Sequence, residues 1–373
     1  MFDAIIVGAR CAGSPLGMLL AKAGHKVLVV DRASFPSDML STAALTGEAI
    51  PHLKEWGVYD KLKAAGTPEI WETVMRAGGA EFRAPHDLIG PGMAPRRTVL
   101  DTLLVDAARE AGAEVREEFS VMQLLRDADG AVIGIEGHGA DGETVAEHAR
   151  VVVGADGRNS FVARQVGAEK YKERPAVTCG YYSYFTGFPQ AGISIDFLPD
   201  RAAFVFPSNY GQVCLGIEAK TELFERFRSD IEGFFRETYA QIPGMAERFA
   251  ESTRVERWMG ANQLPNFYRK PFGSGWALVG DAGYLKDPIM GQGINDAFRD
   301  AAALAKALDS AWTGKEPLDD ALAAYHMGRD DASAMFYEMN YMMSQMNVTA
   351  QHLQMLQMGV EQQIAAQSAA VPG

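Results

Sequence analysis

A short β-branched run, Ala4-Ile-Ile-Val7, enters the turn Gly8-Ala-Arg-Cys-Ala-Gly13, and nothing else in the chain restricts the fold as tightly. A strand that ends in a glycine turn and feeds a helix, here Ser14–Ala23, needs a second strand beside the first, and Lys26–Val30 supplies it after Gly24. Both strands are hydrophobic throughout, as a parallel sheet covered on both faces requires, so the segment reads as a β-turn-α-β unit. Gly8 permits the tight turn, Gly13 lets helix and strand pack closely, and the free N–H groups of the helix N-terminus suit a pyrophosphate. Asp31, at the end of the second strand, is placed to accept hydrogen bonds from ribose hydroxyls. Arg10 stands where the frame G-x-G-x-x-G has its middle glycine, with Cys11 and Ala12 completing the turn, so backbone approach to the phosphates is managed differently.

Two later segments end strands in a similar way. Val151-Val-Val-Gly-Ala-Asp156-Gly157 runs into a glycine-flanked acid, which alone is a common Asp-Gly turn. Ala277-Leu-Val-Gly280-Asp281 delivers another carboxylate to a strand end, suited to a sugar hydroxyl. Asp287-Pro288 comes next, and Gly291-Gln-Gly293-Ile294-Asn295 opens a long helix, about 294–308, whose N-terminus is a second resting place for an anion. The spacing between these segments is helical at 46–66 and after Arg97 as far as Gly112. It is strand-like at 112–115, 121–125, 132–137 and 149–153, with Asp-Gly turn signals at 129–130 and 141–142. An antiparallel sheet is expected from 176–187, 193–197, 203–206 and 213–218. Its alternation sets Tyr181 and Phe185 on one face and Tyr182 and Tyr184 on the other, as sheet core or as a substrate wall. Helical stretches at 222–239 precede the strand 276–279, so the first domain is interrupted and resumed. The last part, about 318–365, is helical and rich in Met, at 335, 339, 342, 343, 346, 355 and 358, which suits core or homodimer packing or a substrate lid.

At 373 residues the chain exceeds one ordinary core. Apolar residues at 47% and charged residues at 22% are ordinary, and no apolar run approaches the roughly eighteen residues of a membrane helix. No integral membrane association is expected. Thirty-five basic against 48 acidic residues give a net charge of −13, which repels nucleic acid at long range, so no nucleic-acid partner is expected. No basic stretch or cleavage site precedes Asp3, which makes the cytoplasm the default location. Cys11, Cys179 and Cys214 are too few and too scattered for a disulfide framework or a zinc site; they read as small buried residues, and no metal is expected.

Together the three segments resemble the para-hydroxybenzoate-hydroxylase-like flavoproteins, the group A FAD-dependent monooxygenases, over most of residues 1–330. The resemblance implies an α/β fold: a Rossmann-like FAD-binding domain of the glutathione-reductase type (1–73, 95–170, 268–330), an interposed antiparallel β-sheet substrate domain (74–94, 171–267) and a C-terminal helical tail (331–373). By that likeness Asp31 and Arg32 hold the adenosine end, Asp156-Gly157 supports use of FAD and of NADH or NADPH, and Gly280-Asp281 holds the ribityl-pyrophosphate region. Gly291, Gly293, Ile294 and Asn295 line the isoalloxazine, with Pro288 beside it, and the guanidinium of Arg10 stands near a phosphate or the flavin edge. Arg97-Thr-Val-Leu-Asp101 looks like the family's R-x-x-L-D element, whose arginine reaches the cofactor phosphates; the plainer reading is a surface cation at a helix start. Ser41-Thr42, after Leu40, either lies near the flavin or caps a helix before Leu45.

The activity implied is reduction of FAD by NADH or NADPH, addition of O₂ at flavin C4a, and oxygenation of a small apolar molecule, aromatic or polyketide-like, by the hydroperoxide. Tyr182, Tyr184, Phe206 and Pro288 are the candidate substrate contacts; His52 and His86 stand in no diagnostic spacing, and no catalytic acid or base is assigned. Three other activities fit parts of this pattern. Flavin halogenases carry W-x-W-x-I-P, which is absent here. Alkene reductases of the geranylgeranyl-reductase type have an aromatic strand similar to Phe204-Val-Phe-Pro-Ser208. A non-catalytic binding module like the Rab GDP-dissociation inhibitors would have no reason to keep Asp31, Asp156 and Asp281 together.

Overall fold

The computed structural model describes residues 1–39, 41, 44–84 and 86–370, so Leu40 and Thr42 lie outside the described residues. The chain divides into two units. The first comprises Met1–Ala65, Arg96–Pro175 and Asn266–Glu338; the second comprises Gly66–Pro95, Ala176–Pro265 and Met339–Gly373.

The first unit is built on the β-turn-α-β signal. Its central strands lie in the order Trp276–Leu278, Thr144–Gly154, Phe2–Val7, Val27–Val30 and Glu114–Arg116, all parallel. Phe2–Val7 and Val27–Val30 are buried on both faces, apart from the half-exposed Asp3, which is why they read as unbroken apolar runs. Register aligns the ends of these strands: Val7 is opposite both Val30 and Gly154, and Gly154 is opposite Leu278. The turns that begin at Gly8, Asp31, Ala155 and Val279 therefore leave the sheet at one edge.

The strand Thr144–Gly154 is longer than the expected 149–153 because its first half alternates exposed and half-buried residues and only its second half is apolar. It pairs with Val132–His138, which pairs in turn with Ser120–Arg126, so both Asp-Gly turns connect hairpin strands. A small sheet of Lys170–Arg174, Asn266–Arg269 and Tyr284–Leu285 has no counterpart in the sequence reading. It is held by a ladder of rings, Tyr171 on Tyr268 at 5.6 Å and Tyr268 on Tyr284 at 5.1 Å, both stacked.

The second unit is a sheet in the order Thr253–Arg254, Thr178–Thr186, Val213–Lys220, Arg201–Pro207, Ile193–Leu198, Thr73–Ala77, Ala80–Arg83. Its pairings are antiparallel except that Ile193–Leu198 runs parallel to Thr73–Ala77. One face, with Phe185, Val205, Leu215 and Ile217, packs on Phe227, Phe234, Phe235 and Phe249 from the helices Phe224–Ser229, Ile231–Tyr239 and Met245–Glu251. Tyr182, Tyr184 and Phe206 belong to the opposite face, as the alternation predicts for the two tyrosines. The expected helical stretch at 222–239 is broken at Asp230, whose carboxylate accepts the Gly233 N–H and caps the second piece.

The chain from Leu318 forms the helices Leu318–Ser344 and Ala350–Ala370. The residues expected as a separate tail from 331 are divided: those up to 338 belong to the first unit, and Ala350–Ala370 packs on the hairpin Thr73–Arg83 of the second. Leu353 and Leu356 are buried there. Of the tail methionines, Met343 and Met346 are buried and Met339 is half-buried, while Met335, Met342, Met355 and Met358 are exposed, so only the first two are fully in the core. All three cysteines are buried. No helix among the described residues is long and apolar enough to cross a membrane.

Candidate cofactor site

The sheet edge of the first unit gathers all three glycine segments. Gly8 has φ of +107°, and a Cβ there would stand 2.4 Å from the Ala155 carbonyl oxygen, so only glycine lets the first and second segments meet. Gly280, with φ of +60°, would place a Cβ 2.9 Å from that of Ala12, which brings the third segment onto the first. Two helices begin at this edge, Gly13–Lys22 and Gly293–Trp312, and neither has a side-chain cap. Uncapped N-termini leave amide donors and the positive end of the helix dipole for a ligand, which fits the anionic pyrophosphate of a dinucleotide. The Asp31 carboxylate is fixed by the N–H groups of Ala9 and Ala33, each at 2.8 Å. An ionised carboxylate offers about four acceptor positions, so ribose hydroxyls can still be accepted. Arg32 beside it is exposed.

Arg10 and Arg97 meet on one acid. Arg97, at the start of the helix Arg97–Glu110, holds Asp101 one turn on through both Nη2 contacts, 2.9 and 3.0 Å, and through Nε at 3.1 Å. Arg10 donates to Oδ2 of the same carboxylate at 2.6 Å and to the Ser37 hydroxyl at 2.9 Å, and its guanidinium lies over the Phe35 ring. Arg97 is therefore buried, not a surface cation at a helix start. The Cys11 thiol donates to Asp101 at 3.3 Å, and burial holds it protonated, well above the usual thiol range. Ser41 is half-buried with its N–H on the Met39 carbonyl. Among the described residues no helix starts at Ser41 and the next is Ala49–Glu55, so of the two readings of this loop Ser41 does not serve as a helix cap before Leu45; Thr42 lies outside the described residues.

Asp156 turns inward. Its oxygens accept from the Ser160 hydroxyl at 2.5 Å and the Phe161 and Val162 N–H groups, which hold the start of the helix Phe161–Gln165. Burial pushes its carboxyl up, against those hydrogen bonds. Asp281 is exposed at the sheet edge, but the protein packed around it withdraws its carboxyl from water and pushes it up to about 6, with Arg97 opposing, Asp296 reinforcing, and Arg158 and Lys286 opposing. Asp287 caps the short turn Pro288–Met290 through the Ile289 N–H and leaves Pro288 exposed. Asn295 is buried and ties the helix start to the chain at Thr46, donating to its hydroxyl at 2.5 Å and to Gln292 at 3.0 Å. Ile294 is buried beside it, and Gly291 takes φ of +65° at the end of the preceding turn.

In the second unit Tyr182, Tyr184 and Phe206 are all buried. Tyr182 and Tyr184 meet edge to face at 6.2 Å, Phe206 stacks on Phe204, and the Tyr182 hydroxyl contacts the Met259 sulfur. His86 links the Thr73 hydroxyl to the Gly90 carbonyl, a structural bridge, and His52 lies against Trp56, where burial lowers its pKa. The sequence reading passed over three groups: Asp101 as the hub of two arginines, and Lys286 with Asp296 beside Asp281. The Arg-x-x-x-Asp spacing on a helix signalled the first pairing; the others needed the fold.

A family model described as "FAD binding domain" matches residues 1–338, so the chain belongs to that family. Its fold is the α/β FAD-binding fold, and it is an FAD-dependent oxidoreductase. It is 28% identical over 304 residues to digeranylgeranylglycerophospholipid reductase 2 of Methanopyrus kandleri, covering 80% of this chain and 74% of the relative. Its fold matches the myxobacterial chondrochloren halogenase with a TM-score of 0.83 and 23% identity, over 90% of this chain and 81% of that one. It also matches PqsL of Pseudomonas aeruginosa, a probable FAD-dependent monooxygenase, with a TM-score of 0.81 and 24% identity, over 97% and 99% of the two chains.

Proposed function

We propose that this protein is an NADH- or NADPH-consuming monooxygenase that hydroxylates or epoxidises an apolar small molecule, aromatic or polyketide-like. The observation that carries the reading is the uncapped start of the helix Gly293–Trp312, fixed by Asn295 on Thr46 and lining one cavity with Asp281. Its positive pole favours the negative charge that develops at a flavin's pyrimidine edge on reduction. FAD, when bound, supplies hydride acceptance and oxygen activation. The chain's own residues hold and orient it: Asp31 for the ribose, the start of Gly13–Lys22 for the pyrophosphate, Asp281 for the sugar-chain hydroxyls. Arg97 and Arg10, sharing Asp101, add positive charge for the phosphates. Tyr182, Tyr184, Phe206 and Pro288 are the proposed substrate contacts.

PqsL, a probable monooxygenase, is among the proteins of like fold, and the absence of W-x-W-x-I-P from the sequence speaks against halogenation. A second reading, flavin-dependent alkene reduction, is favoured by the reductase relative and by the Phe204-Val-Phe-Pro strand end. Purified protein with a panel of aromatic compounds separates the two, with NADH and NADPH oxidation, oxygen uptake and peroxide measured together. Coupled consumption of nicotinamide and O₂ with one oxygen atom gained by the compound supports monooxygenation. Anaerobic reduction of a compound without oxygen incorporation overturns it in favour of the reductase.

A further inference from the structure

The turn between Gly280 and Gly293 carries a charge that the glycine frame does not require. Lys286 has a side chain only 4% exposed, in ion contact with the carboxylate of Asp296, which is 5% exposed. The two residues line a cavity together with Gly280, Asp281, Tyr284 and Gly293. An ammonium has three N–H donors; the contact with Asp296 takes up one at most, the Phe336 ring lies 5.6 Å from the ammonium, and no other nitrogen or oxygen acceptor among the described residues reaches it. Burying an ammonium is costly, and such a group persists where its charge is used. Asp296 also holds Arg299 at 2.9 Å and comes directly after Asn295 in the first turn of the long helix. The charged groups that act on Asp281 are Arg97, Asp296, Arg158 and Lys286; of these only Asp296 disfavours its ionised form.

We propose that Lys286 is a positioning residue of the cofactor edge: it offsets Asp296, so that Asp281 stays an acceptor for the flavin's sugar-chain hydroxyls, and it clamps the first turn of the helix Gly293–Trp312. This rests on the assignment of that edge to FAD. The test uses full-length wild type, Lys286→Met and Asp296→Asn, each stripped of flavin and checked for folding by circular dichroism, with FAD affinity titrated between pH 5.5 and 8.5. Wild-type affinity is expected to fall as pH drops through about 6, where Asp281 takes up a proton. Lys286→Met is expected to bind FAD about tenfold more weakly at pH 7, the loss of about one charge-assisted hydrogen bond, with its inflection moved to higher pH. Asp296→Asn should move the inflection to lower pH, because it removes the one charge that raises Asp281.

A purely structural role would weaken binding and leave both inflections in place. That result, or a Lys286→Met affinity equal to wild type at every pH, overturns the proposal. Should Lys286→Met fail to fold, the direction of the Asp296→Asn shift decides alone. Wild type that binds no FAD at any pH overturns the assignment of the edge instead, so the two failures are told apart.

Discussion

Asp101 shows how much one side chain at this edge has to do. It is fully buried, and it accepts from Arg97, Arg10 and the Cys11 thiol. Removing it takes away the carboxylate that Arg10 and Arg97 share, beside an Arg97 side chain only 4% exposed. Asp101→Ala is expected to lower the stability of the flavin-free protein on the order of 3–5 kcal/mol, read from the urea midpoint. FAD affinity should fall with it, since Arg97 loses the partner that aims it. A loss below about 1 kcal/mol would show that the arginines find other partners and that the hub is dispensable. Half of this arrangement was legible in the sequence. Arg97 and Asp101 are one helical turn apart and face each other by periodicity alone. The Arg10 contact spans 91 residues, and no local pattern could announce it.

The helix Gly293–Trp312 is the element on which the site depends, and its start is held from outside. Asn295 carries that link, donating to Thr46 and Gln292 and accepting the Thr46 N–H at 3.4 Å. Asn295→Ala leaves buried polar groups without partners, so a loss of about 1–3 kcal/mol is expected in denaturant unfolding. Faster amide exchange at Thr46 should accompany it; unchanged protection there would mean that the chain at 44–46 is fixed by other contacts. The glycines made this helix legible, because Gly291 and Gly293 punctuate its beginning. Two-sided burial made the strands at Ile5 and Val29 legible for a similar reason. The hairpin Thr73–Arg83 was missed because it is short and its second strand alternates with few apolar residues. The tyrosine ladder was missed because its rings come from three distant segments, each pairing only after the fold has formed.

For the molecule as a whole, a net charge of −13 coexists with carboxylates held away from water, so its stability responds to pH in a predictable direction. Asp300 is 1% exposed, and burial pushes its carboxyl from the ordinary 3.8 up to about 7, although Arg299 lies at 3.0 Å. A raised carboxyl means that the folded chain binds a proton more tightly than the unfolded one. Stability from this group is therefore full below about pH 4 and is lost as pH rises through 7. His52 and His326 act oppositely: burial lowers both, so their contribution is full above about 6.5 and is lost as pH falls. The clean observable is the difference between wild type and Asp300→Asn, in which the histidine contributions cancel. The variant is expected to gain on wild type as pH rises from 5 to 8, with the gap levelling above about 8. Thermal midpoints measured at half-unit intervals in one ionic strength would show it. A gap that stays constant over that range would mean that Asp300 is ionised throughout and that Arg299, not burial, sets its state.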